Sequence, residues 1–279
     1  SLCTQHINQF GTEEQKRRWL PKLATGEWIG AWGLTETGTG SDAGGMNTTA
    51  VRHENGWMLN GSKNFITHAI SGDVAVVIAR TGDKGDSHGM TAFVVEKGTP
   101  GFSVGRNLKK MGMPAQDTAE LFFTNVRVPK ANQLGEAGKG FYYLMEGLAE
   151  ERLISAVGCA AQARKAFDIT RQYVMQRQLF GAPLADQQNT QFRMAEMDTE
   201  IELTQVYVDH CVSEHNAGRL SGNMGEKAKM MASEIEWKML DLGVQLHGGA
   251  GFMDEYPISR MFTDARINRI LAGSSEVMR

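Results

Sequence analysis

Three short segments of this 279-residue chain carry residue types that chemistry needs. The first is Trp32-Gly33-Leu34-Thr35-Glu36-Thr37-Gly38-Thr39-Gly40-Ser41-Asp42. Its glycines and hydroxyls let backbone N–H groups come close to an anionic or polar ligand. Gly38-x-Gly40 alone describes an ordinary loop equally well, and strand-like sequence follows it, so it is not a dinucleotide fingerprint. The second, Gly61-Ser62-Lys63-Asn64-Phe65-Ile66-Thr67, sets an aromatic ring and a hydroxyl two residues apart, on one face of a strand. The third, Gly147-Leu148-Ala149-Glu150-Glu151-Arg152-Leu153, holds adjacent carboxylates. A carboxylate beside a weakly acidic C–H can act as a general base; the same run also describes a solvated helix face with i,i+4 partners.

Other chemistries are disfavoured. His6, His53, His68, His88, His210 and His215 lack metal-ligand spacing, and His247 reads as a packed, hydrogen-bonded side chain, so no metal is expected. Cys3, Cys159 and Cys211 lie far apart and read as buried, reduced thiols. A net charge of −3 with no basic block argues against nucleic acid. The longest apolar run, 74–79, is far below the roughly 20 residues that a membrane span needs.

The chain that must position these segments changes character twice. Residues 1–26 are helical in pattern, with Thr12 as N-cap, Gln15 in the capping-box position and an apolar patch of Trp19, Leu20 and Leu23. Pro21 is expected to break this helix and Gly26 to close the segment. A helix with nothing to bury itself against reads as the remnant of a larger N-terminal helical domain. Residues 27–130 run as β-branched and aromatic stretches at 48–53, 57–66, 74–80, 90–96 and 119–128. Turn clusters divide them, at 55–56, 60–61, 82–86 and 98–101. Asn55-Gly56 predicts a type I′ hairpin with positive φ at both positions. Short strands without intervening helices predict an antiparallel barrel or sandwich, and the barrel is the expected one.

Residues 131–279 turn helical. Met194, Met197, Ile201, Thr204, Val208 and Cys211 make one stripe of a helix over 186–216. Leu144, Leu148, Ile154, Val157 and Ala161 are expected to be buried on another over 140–176, and a third covers 224–246. With a short C-terminal helix these predict a four-helix bundle. The expected fold is α+β and multidomain: a β-barrel middle domain at 27–130, then a C-terminal helical bundle at 131–279. Ser1 in place of Met, and Arg279 directly after a compact motif, suggest a chain lacking pieces at both ends.

Taken in series, the motifs resemble the acyl-CoA dehydrogenase family. Thr35-Glu36-x-Gly38-x-Gly40-Ser41-Asp42 and Gly61-Ser62-Lys63-x-Phe65-Ile66-Thr67 are similar to its flavin-binding middle domain. Arg177-x-x-Phe180-Gly181 with Gln188, and Gln245-x-His247-Gly248-Gly249-x-Gly251-Phe252 with Glu255-Tyr256-Pro257, follow in family order. Asp264-Ala265-Arg266 leading to Gly273-Ser274-Ser275-Glu276 completes the series. The resemblance implies FAD as cofactor, an acyl-CoA thioester as substrate, electron-transferring flavoprotein as acceptor, and a homotetramer. It implies that Trp32, Leu34, Thr35, Gly40 and Ser41 border the flavin and the thioester arm, with Phe65 on the ring system and Thr67 near N5. Arg177, Phe180, Gln188, Gln245 and Gly249 would hold the ADP part of a neighbouring subunit's FAD. Ser274 and Glu276 would touch FAD, although Glu276 stands where glutamine is frequent.

The family commonly places its base just before the glycine of the C-terminal loop, and here that residue is Ala272, in Leu271-Ala272-Gly273-Ser274. A subset resembling the isovaleryl and long-chain enzymes carries the base on a bundle helix instead, in a segment ending Glu-Arg-Leu. The matching carboxylate is Glu151. The Ala272 backbone N–H would then still donate to the thioester carbonyl, with Gly273 beside it, and Arg152 would contact CoA or fix helix geometry. The reaction implied is α,β-dehydrogenation of a fatty or branched acyl-CoA to trans-2-enoyl-CoA. The alternatives are an oxidase of the same fold and a non-catalytic FAD-binding scaffold. The compartment would be cytoplasmic in a bacterium and the mitochondrial matrix in a eukaryote.

Overall fold

The computed structural model describes residues 1–83, 86 and 88–279; Lys84 and Gly85, within the turn cluster expected at 82–86, lie outside the described residues. It divides into two compact units, Ser1–Lys110 with Pro114–Gly147, and Met111–Met113 with Leu148–Arg279.

The first unit opens with α1 (Leu2–Phe10) and α2 (Glu13–Thr25). The capping box forms: Thr12 N–H donates to Gln15 Oε1 at 2.9 Å and Gln15 N–H to Thr12 Oγ1 at 3.2 Å. Pro21 does not break α2, which continues to a left-handed Gly26 (φ 76°). A proline there frees a single carbonyl, that of Arg17. The burial of Trp19, with Leu20 and Leu23, against the sheet outweighs that loss.

Eight strands follow: β1 (Gly30–Gly33), β2 (Thr49–His53), β3 (Gly56–Thr67), β4 (Val74–Arg80), β5 (Met90–Glu96), β6 (Phe102–Val104), β7 (Thr118–Pro129) and β8 (Gln133–Leu134). They form one sheet in the order β6-β7-β3-β2-β4-β5-β8, with β1 also paired to β4. Every residue of β4 is buried, because its alternate side chains serve two cores. Ala75, Val77 and Ala79 join Leu59, Phe93 and Leu121. Val74, Val76 and Ile78 pack with Cys3, Ile7 and Trp19 from the two helices.

The antiparallel barrel expected from the sequence does not occur. β1 and the start of β2 run parallel to β4, and the terminal strands β6 and β8 do not pair with each other, so the described sheet is mixed and open. Turn residues fix only strands adjacent in sequence. The parallel partners of β4 are distant in the chain, and no local signal reports them. The β2–β3 hairpin also turns one residue early. Glu54 takes the positive φ (49°), and Gly56 already pairs with His53. Gly56 is needed for room instead, since a Cβ there would lie 2.3 Å from Val128 O.

The division between the units falls within α3 (Gly140–Gln176). Beyond it come a small hairpin of β9 (Gln178–Leu179) and β10 (Ala182–Pro183), then α4 (Gln188–Asn216), α5 (Gly222–His247) and α6 (Pro257–Ala265). The predicted stripe of α4 is buried throughout. On α3 the expectation fails in part: Ile154 and Val157 are 61% and 43% exposed, and Ala161 faces outward too. Leu153, Ala156, Cys159 and Ala160 are buried instead, against Val208, Cys211, Ala228 and Ala232 of α4 and α5. Apolar residues cover more than one face of α3, and the face with small side chains is the one that packs inward. Among the described residues this part of the chain has the three long helices and the short C-terminal one that the periodicity predicts, α6 having nine residues. The three cysteines are buried and free. Among the described residues no helix is long and apolar enough to cross a membrane, and no His/Cys/Asp/Glu cluster could hold a metal ion.

Candidate active site

In the first unit the glycine-rich segment is stapled to β3. Asn64 N–H donates to Thr35 O at 2.7 Å, and Lys63 Nζ donates to Leu34 O at 3.0 Å. Glu36 and Thr39 exchange two backbone bonds, both 3.1 Å, which close the loop. Lys63 is fully buried and also donates to Glu36 Oε1 at 2.8 Å. The Glu36 carboxylate further accepts from Asn47 N–H (2.6 Å) and Thr48 N–H (2.9 Å). Burial alone would push the Glu36 carboxyl up, but the Lys63 charge and these hydrogen bonds hold it below the ordinary range. Burial pushes the Lys63 ammonium down to about 8, with the Glu36 charge opposing.

On this frame Trp32, Leu34 and Thr35 are half-buried, while Gly40 and Ser41 are exposed. The β3–β7 register shifts between Lys63 and Ile66, and Phe65 takes a positive φ of 59°. Such a bulge re-aims a side chain. It leaves Lys63 and Ile66 pointing inward, with Phe65 (65% exposed) and Thr67 outward on one face. Gln116 Nε2 donates to Thr67 Oγ1 at 2.8 Å and fixes that hydroxyl.

In the second unit Glu151 sits on α3. Its Oε1 is shielded from solvent and has no hydrogen-bond partner among the described residues. Burial pushes its carboxyl up to about 7; the Arg152 charge opposes this and the Glu150 charge adds to it. Arg152 is buried and spends its guanidinium within the unit: Nη1 donates to Glu226 Oε1 at 2.6 Å and Nε to Ala272 O at 3.1 Å. The next carbonyl, Gly273 O, accepts from Lys229 Nζ at 2.8 Å. Ala272 (φ 53°) and Gly273 (φ 102°) are both left-handed. Among the described residues nothing accepts from the Ala272 N–H. Ser274 is half-buried and its carbonyl takes the N–H groups of Val277 and Met278. Glu276 is exposed, its carboxyl held low by its own backbone N–H and by the Ser274 hydroxyl.

A second group lies at the other end of α3. Phe180 (φ 53°) and Gly181 (φ 84°) form the two-residue turn between β9 and β10. Two successive positive φ values make this the I′-type hairpin expected elsewhere. It presents Phe180, 93% exposed, with Arg177 and Gln188 exposed at its two ends. Tyr173 Oη donates to His247 O at 3.2 Å, and the two rings stack at 4.0 Å. That contact sets the end of α3 beside the end of α5, where Gln245 and Gly249 are exposed. His247 Nδ1 lies 2.7 Å from Gly243 O, and burial pushes its imidazole down. By the rise of an α-helix, Arg177 is about 39 Å along α3 from Glu151.

Gly40 and Gly249 show why these surfaces fit a large ligand. A Cβ at either would meet nothing within 4 Å, and neither has positive φ. The chain's own packing therefore does not require them. Each unit thus offers its own ligand-facing groups: Gly40 and exposed Phe65 in the first, and Gly249, exposed Phe180 and the orphaned Glu151 oxygen in the second.

Sequence reasoning missed Lys229 and Glu226, and gave Glu36 and Lys63 no role. A signal for Lys229 existed: Gly225, Ala228, Lys229, Ala232 and Glu236 recur at helical spacing on the buried stripe of α5.

Comparison with known proteins accounts for the arrangement. Family models described as "Acyl-CoA dehydrogenase, N-terminal domain", "middle domain" and "C-terminal domain" match residues 1–27, 31–126 and 138–279. The mitochondrial long-chain specific acyl-CoA dehydrogenase of Mus musculus is 45% identical over 280 residues, covering all of this chain. This chain spans 65% of that relative's length. The mitochondrial isovaleryl-CoA dehydrogenase of Solanum tuberosum is 38% identical over 279 residues, 100% of this chain and 68% of that protein. The crystal structure of an acyl-CoA dehydrogenase from Geobacillus kaustophilus superposes with a TM-score of 0.97 at 46% identity, over 99% of this chain and 73% of that one. Sequence and fold agree along the whole length, and the chain belongs to the acyl-CoA dehydrogenase family.

Proposed function

We propose that the whole protein is an FAD-dependent acyl-CoA dehydrogenase that converts a fatty or branched acyl-CoA thioester to its trans-2-enoyl product. The observation that carries this reading is Glu151: a half-buried carboxyl with one solvent-shielded, unpartnered oxygen, pushed up to about 7, in a chain with Ala272 on the C-terminal loop. A fold gains nothing from such a group, and a general base poised near neutral pH needs it. Glu151 removes the proton from the substrate α-carbon. Bound FAD would supply the acceptor for the hydride that leaves the β-carbon. Charge builds on the thioester oxygen as the proton departs, and the free Ala272 N–H supplies a donor there. Arg152 holds the carbonyl of that same residue, which favours a positioning role for it over contact with CoA.

Phe65 would hold the flavin ring and the Thr67 hydroxyl would donate near N5, with Trp32, Leu34, Thr35, Gly40 and Ser41 lining the site. Ser274 and Glu276 of the C-terminal loop would help hold FAD. Arg177, Phe180, Gln188, Gln245 and Gly249 hold the ADP part of FAD in a neighbouring subunit. The separation of about 39 Å between Glu151 and Arg177 exceeds the length of one FAD, which supports this division between copies. The assembly is a homotetramer, and electrons pass to electron-transferring flavoprotein. Its compartment is the matrix in a mitochondrial source and the cytoplasm in a bacterial one.

Anaerobic titration of the FAD-loaded full-length protein with straight and branched acyl-CoAs tests the reading. Bleaching of the flavin absorbance by at least one of them is expected, and rapid return of colour in air would identify an oxidase. Retained FAD that no acyl-CoA bleaches would leave a scaffold.

A further inference from the structure

Two cations from two helices grip successive carbonyls of the C-terminal loop: Arg152 of α3 on Ala272 O, and Lys229 of α5 on Gly273 O. We propose that Lys229 is a positioning residue for thioester activation, fixing the Ala272–Gly273 turn so that the Ala272 N–H stays aimed at the substrate oxygen. This rests on the reading above, in which that N–H is the donor.

Stability does not account for Lys229. It is fully buried and donates to a neutral carbonyl; burial and the Arg152 guanidinium oppose its charge, and Cys159 and the Glu276 carboxylate only partly offset them. Replacing a buried charge of this kind by an apolar side chain of similar volume is often neutral or stabilising. The loop it holds is strained. Ala272 has φ 53°, a conformation that disfavours any residue with a Cβ and that persists only when its surroundings over-determine it. Gly273 (φ 102°) has little slack, because a Cβ there would lie 3.1 Å from Arg152 Nη2. The Ala272 N–H lies in the Leu271–Ala272 peptide plane, and anchoring the carbonyls of 272 and 273 fixes the two planes that follow it, against which that N–H is set. Without Lys229, the Arg152 bond and the Ser275 N–H bond to Arg269 O remain to hold the turn.

The test compares Lys229→Met and Lys229→Gln with wild type in the full-length, FAD-loaded protein. Turnover per bound FAD is expected to fall about 10- to 100-fold in the Met variant and less in the Gln variant, which retains a donor. The loss should appear in kcat with KM nearly unchanged, as for an interaction made only in the transition state. FAD content and Tm should match wild type, and amide hydrogen exchange over 271–275 should accelerate. A folded Lys229→Met variant turning over within twofold of wild type per bound FAD overturns the proposal. So does failure of both to fold, which would make Lys229 structural. Glu151→Gln run in parallel separates the two claims: if it keeps turnover, the base assignment fails. If it loses turnover while Lys229→Met does not, the assignment stands and the positioning role falls.

Discussion

Glu151, the proposed base, shows how such a group is set against the stability of its fold. Its carboxyl is raised from an ordinary 4.5 to about 7, chiefly by burial. A carboxyl raised in the folded state contributes stability in full below its unfolded value, and that contribution is lost as pH rises through about 7. At pH 8 the ionised group therefore weighs against the fold by up to about 3 kcal/mol. Glu151→Gln removes the charge, so it should raise Tm at pH 8 and leave it near wild type at pH 4.5, as thermal unfolding at the two values would show. A base must be ionised to act, so kcat/KM should rise with pH through about 7. A flat profile from pH 6 to 8 would count against Glu151.

At the scale of elements, the Glu36–Lys63 pair locks the glycine-rich segment to β3. Lys63→Met would leave Glu36 buried with its charge uncompensated and should cost about 3–5 kcal/mol, measured by urea unfolding. Retained stability would mean that the segment is held by its backbone bonds alone. Much of this frame is legible in the sequence. The strands at 74–80 and 90–96, the helix at 140–176 and the Thr12 capping box follow from local period and capping chemistry, and the structure has them at those positions. The mixed sheet is not legible, because the parallel pairing of β1 and β2 with β4 joins segments far apart in the chain. Nor is the burial of α3, where Ile154 and Leu153 are equally apolar and only the small partners on α4 and α5 decide between them. The segments that could bind ligand stood out by composition. Lys229 did not, because a charge on a buried helix face looks like an interruption of the pattern until the loop it holds is in view.

At the scale of the whole molecule, the expectations of oligomer and cofactor meet on exposed apolar surface. Ile154 and Val157 on α3 and Leu203 and Val206 on α4 are each between 43% and 64% exposed in the single chain. A chain that shares FAD between copies should cover them. In the homotetramer proposed above, Val157→Glu with Val206→Glu should therefore give smaller species by light scattering, with FAD lost in step. A monomeric wild type would remove the shared-cofactor account of Arg177 and Phe180. The central claim is narrower, and one measurement reaches it: the rate of flavin bleaching when full-length protein is mixed anaerobically with its best acyl-CoA, wild type against Glu151→Gln. The account predicts equal FAD content and a rate lower by about three orders of magnitude or more in the variant, from loss of a placed general base. Bleaching of the variant at the wild-type rate would contradict it.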